Sequence, residues 1–439
     1  MLELLSLFFA PPLTLSSEQI IAQTPIIRPL NGELNQIPVF NSNSPELVLA
    51  EGILLSTFPQ EGKKHPSAHL PYTFEGRFDI FAHHVAKAVT PDDTRTLYLG
   101  VIAHNPSDKP VNLNILTGAT YLSQPDAPFV KLPPQIESRT AFAGPGSRVM
   151  GDILQRKRQD IFPPLLTIPP QSSRMILSLP IPVQNLEPKL NGRSSYVQIN
   201  SDGKVHLASL AMYGEGEDNP PSLSQWEELL RNGNISSPRD RAPSAPNSGG
   251  NIIYGRVAGV AIGNEWKADL LDSPDSRILT IPKADQKFVY PLSSLVGGTF
   301  GTGQIQTAPL DVRYDDTAYS AHGNYGVKYN LTLPLSNPHN TPKTVKINIS
   351  TPLKTDAPTI EYGEFNQVFF RGMVQVKYND EQNIPRWRYF HLVQTRGQQG
   401  EDLLTLTLPP ESNRLVSVEF LYPPDATPPQ VLTITTNPS

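Results

Sequence analysis

Asn105-Pro-Ser-Asp-Lys-Pro-Val-Asn-Leu-Asn-Ile115 returns, slightly lengthened, as Asn337-Pro-His-Asn-Thr-Pro-Lys-Thr-Val-Lys-Ile-Asn-Ile349. Downstream of each copy a second string repeats in the same order: Leu166-Thr-Ile-Pro-Pro-Gln-Ser-Ser-Arg-Met-Ile176 and Leu406-Thr-Leu-Pro-Pro-Glu-Ser-Asn-Arg-Leu-Val416. In both copies a strand ends in Pro-Pro, a polar tight turn follows, and an alternating strand resumes. One β-rich module used twice is the reading these strings support. Short strands at this spacing with scarcely any helix define an all-β chain: two tandem immunoglobulin-like β-sandwich modules joined by a linker with one short helix.

Working outward, Thr96–Ala103 and Val111–Ile115 flank the first turn as an antiparallel pair, and Ser201-Asp202-Gly203 suits the type I′ turn of a hairpin. Phe369–Tyr378 and Arg386–Val393 flank a polar loop holding Asp380 and Glu381. Ser224 and Glu227 are spaced as a capping box, with Leu223, Trp226, Leu229 and Leu230 forming an apolar stripe before Gly233. So short a helix is marginal alone, so its stripe is expected to dock and to fix the angle between the modules. The expected organisation is a possible signal peptide at 1–23, an extended lead-in at 24–69, a first module at 70–214, and a linker with helix at 215–250. A strand-rich insert or subdomain at 251–304 and a second module at 305–439 complete it. Within the lead-in, Gln36–Phe40 reads as a strand and Asn41–Pro45 as a loop.

Composition narrows the classes further. Proline accounts for 46 of 439 residues, roughly twice the usual share, and its spread along the chain ends helices and punctuates strands. A net charge of −5 gives no electrostatic case for nucleic acid. The absence of cysteine removes disulfides, Cys-ligated zinc, iron–sulfur sites and thiol nucleophiles. Leu4–Leu15 is apolar and of signal-peptide length, although Glu3 stands where a basic residue belongs. No other stretch is long and apolar enough to span a membrane, so none is expected in the mature body.

Five of the nine histidines, His65, His69, His83, His84 and His104, fall close together in sequence. His83, His84 and His104 are the metal candidates, with Asp79 as an oxygen ligand; the plainer alternative is structural or surface histidine, since neighbours in a strand face opposite ways. Acidic turns at Thr90–Asp93, Asn200–Gly203, Asp272–Asp275 and Tyr314–Asp316 offer oxygens for structural calcium but lack an EF-hand spacing. No cofactor is otherwise expected. Gly297–Gly303 lacks the Lys-Ser/Thr of a phosphate loop and reads as a turn. Trp387, Tyr389 and His391 share one face of an extended strand and form a candidate glycan or partner contact; the alternative is that this face is core. Neither a Gly-x-Ser-x-Gly elbow nor a His-Glu-x-x-His pair occurs, and no catalytic residue is assigned.

Five strings, Ile37–Glu46, Gly76–Val85, Tyr254–Ala261, Gly298–Gln304 and Tyr422–Val431, together resemble a cyanobacterial family of secreted proteins catalogued only as a domain of unknown function. The resemblance covers nearly the whole chain. It implies a photosynthetic bacterial source and export, and carries no reaction or ligand. The expected function is that of a non-enzymatic, extracytoplasmic cell-envelope protein with a structural, adhesive or binding role toward an envelope protein or glycan. The alternative is a carbohydrate-active hydrolase or glycan-binding protein with its site in a cleft between the modules.

Overall fold

The computed structural model describes residues 23–93, 95–214 and 219–437; the expected signal peptide therefore lies outside them but for Gln23. Strands make up 47% of the chain and helices 6%, so the chain is nearly all β, as its proline spacing and strand alternation predict. Among the described residues the strands form three open sheets.

A five-stranded sheet runs in the order Thr24–Ile27, Gln286–Leu292, Gln430–Thr436, Lys343–Ser350, Asp402–Leu408. A seven-stranded sheet is centred on Lys328–Asn337, Ser412–Leu421, Val368–Asn379 and Pro385–Thr395. Their apolar faces share one core, in which Leu331, Leu333, Val376, Phe390 and Phe420 meet Tyr290, Ile347, Leu404 and Ile434. Each such side chain stabilises the packing by roughly 1.5–3 kcal/mol.

The twelve-stranded sheet is built on one strand, Leu190–Gly214. Its first half pairs with Phe74–Lys87 and Val111–Leu122, and its second half with Gly52–Ser56 and Thr96–Asn105. The register breaks between Ser201 and Val205, so the strand passes from one leaf to another, and the leaves enclose Phe78, Ile80, Leu99, Leu113, Val197 and Leu207. The hairpin expected at Ser201-Asp202-Gly203 does not form. The Asp202 carboxylate accepts the backbone N–H of Asn112 at 2.7 Å and its side-chain amide at 2.8 Å. Those bonds tie the bend to the neighbouring strand, and neither Asp202 nor Gly203 takes the positive φ a type I′ turn requires.

The repeated strings occupy matched positions. Asn105 Nδ2 donates to the carbonyls of Lys109, Ile168 and Pro169 at 2.6, 3.1 and 3.1 Å. Asn337 Nδ2 donates to those of Thr341, Leu408 and Pro409 at 2.9, 3.2 and 2.9 Å. Each asparagine closes its own turn and pins the end of the strand that carries the Pro-Pro step. The following Gln171 and Glu411 both adopt left-handed backbone, at φ 51° and 46°.

Chain segments that are contiguous in sequence separate in space. The lead-in gives Thr24–Ile27 to the five-stranded sheet and Pro38–Ser42 to the twelve-stranded one, so Asn41 and Ser42 belong to a strand and not to the expected loop. Residues 251–304 divide among all three sheets, through Ala258–Ile262, Glu265–Asp269 and Gln286–Leu292.

The helix expected after Gly214 spans Leu223–Asn232, but its capping box is Ser222 with Gln225, two residues earlier than the sequence spacing suggests. Trp226 and Leu230 are buried against Ile53, Tyr98, Ile102 and Leu210, and Trp226 Nε1 donates to Ser178 Oγ at 3.2 Å. All of these neighbours belong to the twelve-stranded sheet, so this helix does not strut the two halves of the molecule, the twelve-stranded assembly and the packed five- and seven-stranded sheets. A second helix, Pro145–Leu154, does. It packs on Val111–Leu122 and Leu190–Gly214 on one side and on Val368–Asn379 and Ser412–Leu421 on the other. Val149, Met150, Ile153 and Leu154 join Tyr196, Met373, Tyr389 and Leu421 in a core between the halves. Pro145 at its first turn suits helix initiation, and the Asp425 carboxylate from the opposite half accepts the Ser147 N–H at 3.0 Å.

Candidate ligand cleft

The strand Pro385–Thr395 carries the aromatic face singled out in the sequence. Its even residues Phe390 and Leu392 enter the core between the five- and seven-stranded sheets, so Trp387, Tyr389 and His391 face away, toward the other half of the molecule. Burial is graded along that face: Trp387 is 57% exposed, Tyr389 9% and His391 fully buried. Trp387 and Tyr389 open onto a cleft of about 910 Å³, whereas His391 is not part of its lining.

Register assembles the cleft floor. Lys377 lies opposite Trp387, and Gln375 lies opposite both Tyr389 and Glu419; Gln375 Nε2 donates to the Tyr389 hydroxyl. Glu419 is bound by Lys377 and by Lys328, the latter at 2.8 Å. Burial works to raise the Glu419 pKa, but hydrogen bonds and charge from Lys328 and Lys377 outweigh it and hold the carboxyl below its usual range. From the other half come Arg77, Thr117, Gln198 and the exposed Leu116, and from the end of the helix Pro145–Leu154 come Gln155 and Arg156. The Arg139 guanidinium lies 4.7 Å from the centre of the Tyr389 ring.

Behind the floor a buried carboxylate joins the halves. Asp79 pairs with Arg77, accepts the Tyr196 hydroxyl at 2.7 Å and accepts the Asn264 amide at 2.7 Å. Tyr196 also donates to the Gly326 carbonyl at 3.1 Å. Removal from water and the neighbouring Asp79 charge push the Tyr196 phenol well above its usual pKa, so it keeps its single proton, directed at the closer Asp79 and shared with the Gly326 carbonyl.

This cleft is chemically lopsided. Five cationic side chains, Arg77, Arg139, Arg156, Lys328 and Lys377, line it against Glu265 and Glu419, reversing the sign of the chain's net charge of −5. A glycosidase general acid needs a raised carboxyl pKa. Glu419, held ionised between two lysines, is unsuited to that role; it suits fixing the lysines.

The metal candidates do not converge. His84 is fully buried, its Nδ1 2.8 Å from the Pro45 carbonyl and its Nε2 2.8 Å from Ser42 Oγ. The carbonyl assigns the proton to Nδ1, leaving Nε2 to accept from the serine. Burial drives the His84 pKa down to about 3. His83 faces the opposite way, with Nδ1 2.7 Å from Ser194 Oγ. His104 lies in the other leaf, opposite His206 and beside the Phe58 ring. Among the described residues no three His, Asp or Glu side chains are grouped to hold a metal ion. The four acidic turns are likewise bound to protein: Asp93 to Arg95, Asp202 to Asn112, Asp272 to Thr280 and Asp316 to Arg239.

Of the face Trp387, Tyr389 and His391 that the sequence singles out, the first two line the cleft and His391 is buried; the charged floor as a whole is not legible in the sequence pattern. The polar alternation Gln375, Lys377 was a signal of a hydrated face; Glu419, Arg77 and Arg139 gave none, because only strand register and the intervening helix bring them beside that face.

The fold and the cleft define an all-β protein whose described surface includes a basic, aromatic-rimmed groove between two sheet assemblies. The chain belongs to the family described as Protein of unknown function (DUF3370), whose model matches residues 25–436. No curated protein matches it. Among solved structures it is similar to Fet3p, a multicopper oxidase that functions in iron import. That match has 8% identity and a TM-score of 0.11, and covers 79% of this chain and 51% of that one. It is also similar to procruciferin, an 11S globulin from Brassica napus, at 11% identity and a TM-score of 0.10 over 92% and 85% of the two chains. The chain thus spans about half the length of Fet3p, and at such TM-scores neither likeness carries an argument.

Proposed function

We propose that the protein is a non-enzymatic, extracytoplasmic binding protein of the bacterial cell envelope that holds an acidic glycan in the cleft between two immunoglobulin-like sandwich modules. The main bodies of the modules are 70–214 and 305–439, completed by strands from the lead-in and from 251–304 and exchanging strands: Gln135–Glu137 joins the seven-stranded sheet, and Ala308–Arg313 and Ser320–Ala321 the twelve-stranded one; the matched Asn105 and Asn337 turns support their origin in one repeated unit. A cyanobacterial source is what the resemblance of the five strings implies. Among the described residues no helix is long and apolar enough to cross a membrane.

The observation that carries the glycan reading is Trp387, 57% exposed beside Tyr389 at the rim of a cation-lined cleft. An indole left in water offers a flat apolar platform for a sugar ring, while lysine and arginine supply donors and charge for carboxylate or sulfate groups. Affinity electrophoresis through gels containing alginate, a polyuronate, or neutral dextran tests it. Retardation is expected in alginate alone, weakening with salt and lost in Trp387→Ala with the melting temperature unchanged. Equal mobility in both gels, or retardation by single-stranded DNA instead of alginate, overturns the glycan assignment.

A further inference from the structure

A second cavity, sharing no lining residue with the cleft, lies where the strand Pro38–Ser42 and the segment before Ala258–Ile262 meet the other half of the molecule. Its volume is about 350 Å³, the low end for a small-molecule site and too small for a polymer.

Its floor is polar and unsatisfied. Asn41 in the strand and Asn43 just past its end both line the cavity, and they are 4% and 3% exposed. Both Oδ1 atoms are buried without a hydrogen-bond partner, as is Nδ1 of His322. Such groups are destabilising when left unpaired, and a complementary ligand relieves that. Burial lowers the His322 pKa to about 4, so the ring is neutral at pH 7 and presents no repulsion to a polar ligand group.

The walls are aromatic. Tyr254, Tyr325 and Phe369 line the cavity, and the Tyr254 and His322 rings lie 4.9 Å apart. The mouth is cationic. Exposed Lys354 donates to the Tyr254 hydroxyl at 2.8 Å, and exposed Arg396 lies against the Phe365 ring at 4.8 Å. Neither is in an ion pair among the described residues.

From this order of groups we infer that the cavity is a binding site for a small, flat organic acid. Its carboxylate pairs with Lys354 and Arg396 at the mouth, its ring lies between the aromatic walls, and a distal hydroxyl reaches the Asn41 and Asn43 amides. With exposed cations at one end and buried amides at the other, a para-hydroxylated aromatic acid is the simplest member of this class.

The test is calorimetric titration at pH 7 with 4-hydroxybenzoate, its uncharged analogue 4-hydroxybenzamide, and benzoate. The acid is expected to bind, and losing either its charge or its hydroxyl is expected to weaken binding by about tenfold or more. Lys354→Met should weaken 4-hydroxybenzoate similarly while leaving 4-hydroxybenzamide unchanged. Asn43→Leu removes an unpartnered amide, so the free protein should melt no lower than the parent while binding is lost. No binding of 4-hydroxybenzoate at millimolar concentration, equal affinity for acid and amide, or binding indifferent to both substitutions in folded protein overturns the assignment.

Discussion

Replacing Asn105 or Asn337 with alanine probes the feature on which the fold reading rests. Both side chains are fully buried. Each has two amide protons serving three carbonyls, one in its own turn and two at the Pro-Pro end of the partner strand. Each Oδ1 also accepts a backbone N–H two residues on, from Ser107 at 2.9 Å and from His339 at 3.1 Å. A hydrogen bond contributes about 0.5–1.5 kcal/mol net and a stranded buried group costs about 1–3 kcal/mol. Because water reaches part of each turn, the expected loss is about 2–4 kcal/mol for either substitution. Urea unfolding followed by circular dichroism reads it as a lowered midpoint at unchanged slope. Asn→Asp should be at least as damaging, since it sets a carboxylate against carbonyl oxygens. Two losses of similar size are expected. If either alanine variant stays within about 0.5 kcal/mol of the parent, or if one turn proves several times more important than the other, the matched bonds do not carry equivalent structural roles.

Trp226→Ala should cost about 3–5 kcal/mol, the range for emptying a buried aromatic site, yet leave the small-angle scattering profile of the folded protein unchanged, because its helix packs on one half alone. By contrast, Val149→Asp in the helix between the halves should lower the melting temperature and expand the particle; an unchanged radius would refute its bridging role. The third expectation concerns pH. His84 titrates near 3 in the folded protein against an ordinary histidine value of 6.5, so between those values the unfolded chain binds the extra proton. The stabilising contribution is therefore complete above about 6.5 and is lost as pH falls toward 3, in the same direction as His322 and His391, both lowered to about 4 by burial. Urea midpoints from pH 7 to 4 should decline, and less steeply in His84→Gln; parallel declines would remove His84 as a cause.

Local physics makes much of this molecule legible in its sequence. Proline spacing excludes long helices, strand alternation marks the faces of Val368–Asn379 and Pro385–Thr395, and the repeated Asn and Pro-Pro strings specify two turns whose bonds match atom for atom. Each of these depends on residues a few positions apart, or on a turn whose partner carries its own copy of the signal. The helix Pro145–Leu154 carried its Pro start and its apolar Val149, Met150, Ile153 and Leu154 in plain view, yet in a β context the same short apolar run fits a strand. What fixes it as a helix is the space between two sheet assemblies, closed at its first turn by Asp425 from the distant half.

The cleft and the second cavity belong almost wholly to tertiary structure. Trp387 and Tyr389 were visible as aromatic residues at alternate positions, but whether that face was core or surface depended on which side of the sheet met the five-stranded sheet. Glu419 becomes a clamp for Lys328 and Lys377, and Asn41 a buried amide lining the same cavity as Arg396, only because strands far apart in sequence are brought into register or across a gap. Sequence determined the turns and the strand faces because backbone sterics and hydrogen bonding act over a few residues. The charge and shape of the two cavities were decided by packing, since the free energy of a buried group depends on neighbours that no local pattern names.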